Sequence, residues 1–336
     1  MVHRTAPLPI RILGTGEYTP AVRVASHELD ARWGRPQGWT FRHSGISHRH
    51  YAGPDETTSS MAALAARSAL AAAGLTASDM DCIVSASSVM EQAIPCTAVL
   101  VQRRLGLEGS GIPAFDINAT CLGFLAALDT VGAALAIGRY RRVLVVCGEM
   151  ASAGLRADDP ETAMLFGDGA AAVVLGRDGG GESQVLNVRL ETYSEGADLC
   201  QVRAGGTRLK PSDGRDDFLE GAYFEMNGRA TYRLAAQRFP AFVDRLLGDA
   251  GVTCAQLRQI VPHQASAKAL AHMEAALKLP AETFVRVLAT RGNQMAASIP
   301  IALHHAISSG KIARGDLVAL LGTGAGLSFG GAVLRY

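Results

Sequence analysis

Cys121, His263 and Asn293 are the residues of this chain best placed to do chemistry. Cys121 lies in Asp116-Ile-Asn-Ala-Thr-Cys-Leu-Gly-Phe-Leu125, where an apolar strand ending at Phe115-Asp116-Ile117 gives way to a helix. The spacing predicts that this helix begins at or next to Cys121, with Thr120 as its cap. Leu122, Leu125, Leu128, Val131 and Leu135 would form its buried face. A thiol there meets unpaired backbone N–H groups and the positive end of the helix dipole, which favours the thiolate. His263, in Ile260-Val-Pro-His-Gln-Ala-Ser266, is expected between a strand stopped by Pro262 and a helix capped by Ser266. Such junctions are where α/β sheets hold ligands. Asn293 follows Gly292, which permits an unusual backbone angle, and precedes a helix start marked by Ser298 and Pro300. Singly, each has a plain alternative: a small core residue, a structural histidine, a turn amide.

The elements that must position these residues repeat. Ala73-Gly-Leu-Thr76 is followed by Met80, Ile83 and Val84, and Ala250-Gly-Val-Thr253 by Leu257, Ile260 and Val261. Equivalent positions differ by 177 (250 − 73, 257 − 80, 260 − 83). Each segment reads as helix, Ala-Gly turn, polar link and buried strand. Gly138 precedes an expected strand at 143–146 and Gly310 one at 317–321, and each leads into a Gly-rich β pair. The simplest reading is a duplicated α/β unit with two similar halves about a pseudo-twofold axis. Cys121 stands 17 residues before Gly138 and Asn293 17 before Gly310, so a site near that axis can draw on both halves.

At 336 residues, with 48% hydrophobic and 6% aromatic residues, the chain can bury a sizeable core of small side chains. A net charge of +1 gives no general attraction to nucleic acid or membrane. Residues 1–10 hold no apolar run long enough for a signal peptide, and the apolar stretch 61–75 is broken by Arg67 and Ser68. Six cysteines without a CxxC pair fit a reduced, cytoplasmic setting. Gly14-Thr-Gly16 is followed by Pro20 instead of a helix start, which argues against a dinucleotide loop. His43, His48 and His50 lack an acidic or Cys partner at useful spacing, so no metal is expected.

Taken together the motifs resemble the β-ketoacyl-acyl-carrier-protein synthase III family of condensing enzymes, over nearly the whole chain. They are Gly14-Thr-Gly-Glu-Tyr-Thr-Pro20, Ser44-Gly-Ile46, the Cys121 segment, Phe166-Gly-Asp-Gly169, Val261-Pro-His-Gln-Ala265, Gly292-Asn293 with Ala296-Ala-Ser-Ile-Pro300, and the Gly-rich C-terminus. The resemblance implies the five-layered α/β/α/β/α thiolase fold, with halves at 1–178 and 179–336. It implies that Cys121 takes an acyl group from a thioester, and that His263 and Asn293 donate hydrogen bonds to the enolate of decarboxylated malonyl thioester. The oxyanion donors would be the N–H groups of Cys121 and Ala325. No cofactor is implied; acyl-coenzyme A or acyl-carrier protein serve as substrates. Thiolases need a second Cys in the last Gly-rich loop, and Gly322-Thr-Gly-Ala-Gly326 has none. Two alternatives remain open at this stage: acyl transfer to a non-malonyl acceptor, and a non-catalytic partner subunit.

Departures from the family pattern bear on substrate choice. Trp39 matches an adenine-stacking residue, but its Arg partner is replaced by His43, and another coenzyme-contacting Arg by Pro160. Ile94 stands at the gate that the family's homodimer supplies from the partner chain, where acetyl-specific relatives place Phe. Thr323 replaces an aromatic residue near the reacting centre, and Phe166, with Met164 and Leu165, lines the same pocket by resemblance. A medium-chain primer, longer than acetyl, is therefore expected. Arg229, Arg233 and Lys268 take the positions that dock an acidic carrier protein. The segment 179–225 breaks the repeat and is expected to be loop-rich.

Overall fold

The computed structural model of the chain describes residues 6–180 and 183–336; the first five residues, part of the stretch searched for a leader, lie outside the described residues. The chain opens with β1 (Ile10–Tyr18). A small two-stranded sheet, β2 (Val22–Ala25) with β3 (His48–Tyr51), brackets α1 (Ser26–Arg32) and α2 (Trp39–Ser44). Next come α3 (Thr58–Ala73), β4 (Cys82–Ser85), α4 (Thr97–Arg104) and β5 (Ala114–Asp116). They are followed by α5 (Gly123–Ala136), β6 (Arg142–Glu149), the single turn α6 (Pro160–Ala163) and β7 (Gly169–Arg177). Beyond these run β8 (Gln184–Thr192), β9 (Cys200–Gln201), α7 (Arg215–Gly221), β10 (Glu225–Met226) and α8 (Gly228–Ala250). The chain closes with β11 (Gln259–Pro262), α9 (Ala267–Leu277), α10 (Leu288–Arg291), α11 (Ser298–Ser308), β12 (Leu317–Gly324) and β13 (Ser328–Arg335).

Two mixed sheets carry the architecture, in the orders β1-β7-β6-β4-β5 and β11-β12-β13-β8. Alternation along each strand assigns its two faces to different cores. In β6, Val143, Val145 and Cys147 join α5 and α11 in a central core; Leu144 and Val146 join α3 and α4 on the other side. In β12, Val318 and Leu320 face the same centre, while Ala319 and Leu321 face α8 and α9. The layers are thus α3/α4, sheet, α5/α11, sheet, α8/α9, the expected five-layered α/β/α/β/α thiolase fold.

The duplication extends to local chemistry. Gly74 ends α3 at φ 66°, ψ 31°, and Gly251 ends α8 at φ 68°, ψ 30°, both left-handed caps. Thr76 and Thr253 then cap matching short turns that lead into β4 and β11. Each of those strands pairs in parallel with β6 or β12, which in turn pairs antiparallel with β7 or β13. The segment 179–225 departs from its loop-rich reading. It contains β8, paired antiparallel with β13 as β1 is with β7, so the repeat resumes there. The fifth strand is where the halves differ: β5 lies along β4, whereas the second half keeps one isolated bridge, Ile260 to Phe284. Gly14 and Gly16 serve packing. A Cβ on either would stand 2.3–2.4 Å from the backbone of Ala69, so their bareness lets α3 lie directly on β1.

Candidate active site

Cys121 sits in a tight turn between β5 and α5, and the turn differs from the sequence reading. The helix starts two residues later, at Gly123, with Leu122 as its cap. Thr120 is not a cap: its backbone is left-handed at φ 50°, its N–H donates to Asn118 Oδ1 at 2.9 Å, and its buried Oγ1 has no hydrogen-bond partner among the described residues. The Cys121 N–H stays out of the helical ladder: no backbone carbonyl accepts it among the described residues, and it lies against its own sulfur. Gly123 makes the turn possible, since a Cβ there would come within 2.2 Å of the Ala86 carbonyl. The five apolar residues of the predicted helix face are all buried.

The thiolate expectation is also corrected. Burial, with Glu149 nearby, pushes the Cys121 thiol up to about 12, so the resting enzyme holds a thiol. The helix dipole favours the anion but acts against a larger desolvation cost at this half-buried turn.

His263 follows β11 and is almost wholly buried. Its N–H donates to the Leu321 carbonyl at 2.7 Å, which fixes the loop to β12. Gln264, unremarked in the sequence, locks the same loop: its Nε2 donates to Pro262 and Val285 carbonyls, and its Oε1 accepts from Val287 and Leu288. Burial holds the imidazole down to about 4, so it is neutral, and Nδ1 has no partner among the described residues. Asn293 is reached from two sides. Its backbone bridges Phe166, and its Oδ1 accepts the Met295 N–H at 2.9 Å. That bond sets the amide's orientation, leaving Nδ2 to make a long 3.4 Å contact with Ala265 O in the His263 loop. One Nδ2–H is therefore free for a ligand oxygen.

Close contacts bring these loops around one point. Gly322 meets both Leu122 and His263, Gly324 meets Thr120, and Gly123 lies against Ala296. Ala325, whose N–H also lacks a backbone acceptor among the described residues, follows Gly324 directly. Thr323 is half-buried in β12. Phe166 is buried, with Phe224 edge-on at 5.4 Å. Ile94 is not brought to this point by its own chain; it is 86% exposed on an irregular loop. Trp39 lies apart on α2, with the His43 ring 4.5 Å away and the Arg35 guanidinium 4.9 Å from its own ring. Gly45, just past α2, packs against Ala267 at the start of α9. Lys268 there, and Arg229 and Arg233 on the first turns of α8, are exposed and form no ion pair among the described residues. Tyr232 and His272 join those two helices edge to face at 5.4 Å. Sequence reasoning missed Glu149, fully buried at the end of β6 and pushed up to about 8 by burial. No helix is long and apolar enough to cross a membrane among the described residues.

A five-layer duplicated fold with a Cys turn, a neutral His and an oriented Asn at its strand ends is that of the thiolase-fold condensing enzymes. The solved 3-oxoacyl-[acyl-carrier-protein] synthase III of Aquifex aeolicus VF5 superposes with a TM-score of 0.88 at 33% identity, covering 97% of this chain and 100% of that one. The family described as 3-oxoacyl-[acyl-carrier-protein (ACP)] synthase III matches residues 115–194, and its C-terminal part 247–336. The β-ketoacyl-[acyl-carrier-protein] synthase III of Laribacter hongkongensis is 37% identical over 97% of this chain and 99% of its own. Acetoacetyl CoA synthase NphT7 of Streptomyces sp. (strain CL190) is 38% identical over 97% and 98%. The chain belongs to the β-ketoacyl-acyl-carrier-protein synthase III family and is an acyltransferase.

Proposed function

We propose that this enzyme joins an acyl thioester primer to malonyl-acyl carrier protein by decarboxylative Claisen condensation. Cys121 attacks the primer thioester; its sulfur gains the acyl group while the departing thiol takes the proton. The tetrahedral oxyanion is met by the N–H groups of Cys121 and Ala325, which no backbone carbonyl accepts among the described residues. Malonyl thioester then loses CO₂, and the enolate oxygen is held by an N–H of neutral His263 and the free Nδ2–H of Asn293. The enolate carbon attacks the acyl-Cys carbonyl, releasing the 3-oxoacyl thioester and the Cys121 thiolate, which takes up a proton from solvent to restore the thiol. The observation that carries this reading is the Asn293 amide, fixed by Met295 with an N–H left over beside the His263 loop. No cofactor enters the scheme, and the two halves, 1–178 and 179–336, supply the nucleophile and the enolate donors respectively.

The primer is medium-chain in this reading, because Ile94 and Thr323 replace aromatic groups, and each added methylene buried is worth about 0.8 kcal/mol. Ile94 reaches a pocket only across a homodimer, which its exposure supports. The cations Arg229, Arg233 and Lys268, which form no ion pair among the described residues, suit an acidic carrier protein, and the start of α9 beside Lys268 lies against the end of α2, the helix of Trp39 and His43. The setting is cytoplasmic. The Acetoacetyl CoA synthase relative favours a second reading of the acceptor, malonyl-coenzyme A. The test incubates the protein with acetyl, butyryl, octanoyl and dodecanoyl thioesters and weighs it intact, then adds malonyl-acyl carrier protein or malonyl-coenzyme A. Acylation at Cys121 and octanoyl preference, shortened by Ile94→Phe, are expected. An unacylated Cys121 overturns the reaction, and acetyl preference overturns the primer.

A further inference from the structure

The loop at residues 88–95, which carries Ile94, makes no backbone-to-backbone hydrogen bond among the described residues. It is held by side chains. Near its surface, Glu91 accepts from the Ser59 N–H and Gln92 donates to the Ile94 carbonyl. Its inner end hangs from Glu149, which accepts the N–H groups of Ser88 at 2.6 Å and Val89 at 3.2 Å, while Thr58 donates to the Val89 carbonyl. The 295–297 turn that follows Asn293 packs against β6, and its Ala296 N–H faces the Glu149 carboxyl. Glu149 has no exposed surface and pairs with no cation among the described residues. Burying a carboxyl without a counter-ion is expensive, and an apolar side chain would fill the space at less cost. Two acceptor oxygens, bonded to two loop N–H groups and faced by a third, are what the carboxyl adds.

We propose that Glu149 is a positioning residue that ties the Ile94 loop to the Asn293 turn, so that chain-length selection and enolate stabilisation share one anchor. This rests on the reading of Ile94 and Asn293 above. At pH 9, where this carboxyl has lost its proton and where the experiment is run, an amide cannot replace it, because its NH₂ would point a donor at backbone donors. Glu149→Gln therefore keeps the volume and loses part of the anchor, whereas Glu149→Asp keeps both oxygens on a shorter reach.

The experiment measures three quantities for wild type and both variants: Cys121 acylation, condensation, and the octanoyl-to-butyryl ratio of kcat/KM. In Glu149→Gln, acylation by the preferred primer is expected to be no slower than wild type, since losing the carboxyl near the Cys121 thiol eases its deprotonation. Condensation should fall on the order of tenfold or more, as for a displaced donor, and the chain-length ratio should collapse toward one. Glu149→Asp should lie between. Unchanged selectivity and an unchanged condensation-to-acylation ratio overturn the proposal. So does equal loss of both half-reactions with a lowered Tm, the mark of a merely structural carboxyl. If Glu149→Gln does not fold, Glu149→Asp alone decides, by the same ratios. A wild-type Cys121 that is never acylated overturns the function reading first, and the proposal with it.

Discussion

With its proton retained at neutral pH, Cys121 must lose it as the sulfur–carbon bond forms. Alkylation by iodoacetamide, which offers no such coupled transfer, should be slow at pH 7 and rise steadily through pH 9 without levelling. Mass-spectrometric labelling rates check this; a plateau near pH 7 would mean that the helix dipole outweighs burial. His263 gives a linked prediction. Its folded value of about 4 lies below the ordinary 6.5, so the unfolded chain binds a proton that the folded one refuses. The stabilising term is whole above pH 6.5 and disappears as pH falls toward 4, amounting to roughly 3 kcal/mol at most. Urea melts should show this loss in the wild type, and His263→Asn should flatten it. Equal slopes in the two proteins would refute the assignment.

At the scale of elements, the repeat was legible because it is written in turn chemistry: Ala-Gly, then a capping Thr, then β-branched residues, twice over. The α5 face was legible from its leucine spacing. Its first turn was not, because residue preferences placed the cap on Thr120, whereas Thr120 is left-handed and the helix begins at Gly123, packed against Ala86. β8 was missed because its burial alternates only at first and then gives way to half-buried charged positions, Arg189 and Glu191, beside the exposed Leu190. The three chemical residues could be named from motif types, but Glu149 could not. Its meaning lies in which amides face it, and those come from loops 60 and about 150 residues away. The same packing argument makes Gly123 a sensitive position. Gly123→Ala should move the α5 N-terminus off Ala86, costing about 1–3 kcal/mol and much of the acylation rate. Wild-type acylation in a variant of unchanged Tm would contradict the close approach.

For the whole molecule, the placement of α5 and α11 between the two sheets makes the site part of the central core. The nucleophile and the donor turn have no layer of their own to loosen in. Loss of acylation and loss of helical circular dichroism should coincide along a urea titration, and activity disappearing well before the ellipticity would argue otherwise. The unequal fifth strands carry a different consequence. The β1 and β8 ends of the sheets are joined by the Leu8 to Val185 bridge, so each sheet has one outward edge left. In the first half that edge is β5, a true strand; in the second it is the single Phe284 bridge. A chain with two sticky edges can grow into an open-ended fibre, whereas one with a single self-complementary edge stops once two copies have met. Were copies to pair edge to edge, β5 would offer the full strand among the described residues and the Phe284 side only a single bridge, so addition would end at two.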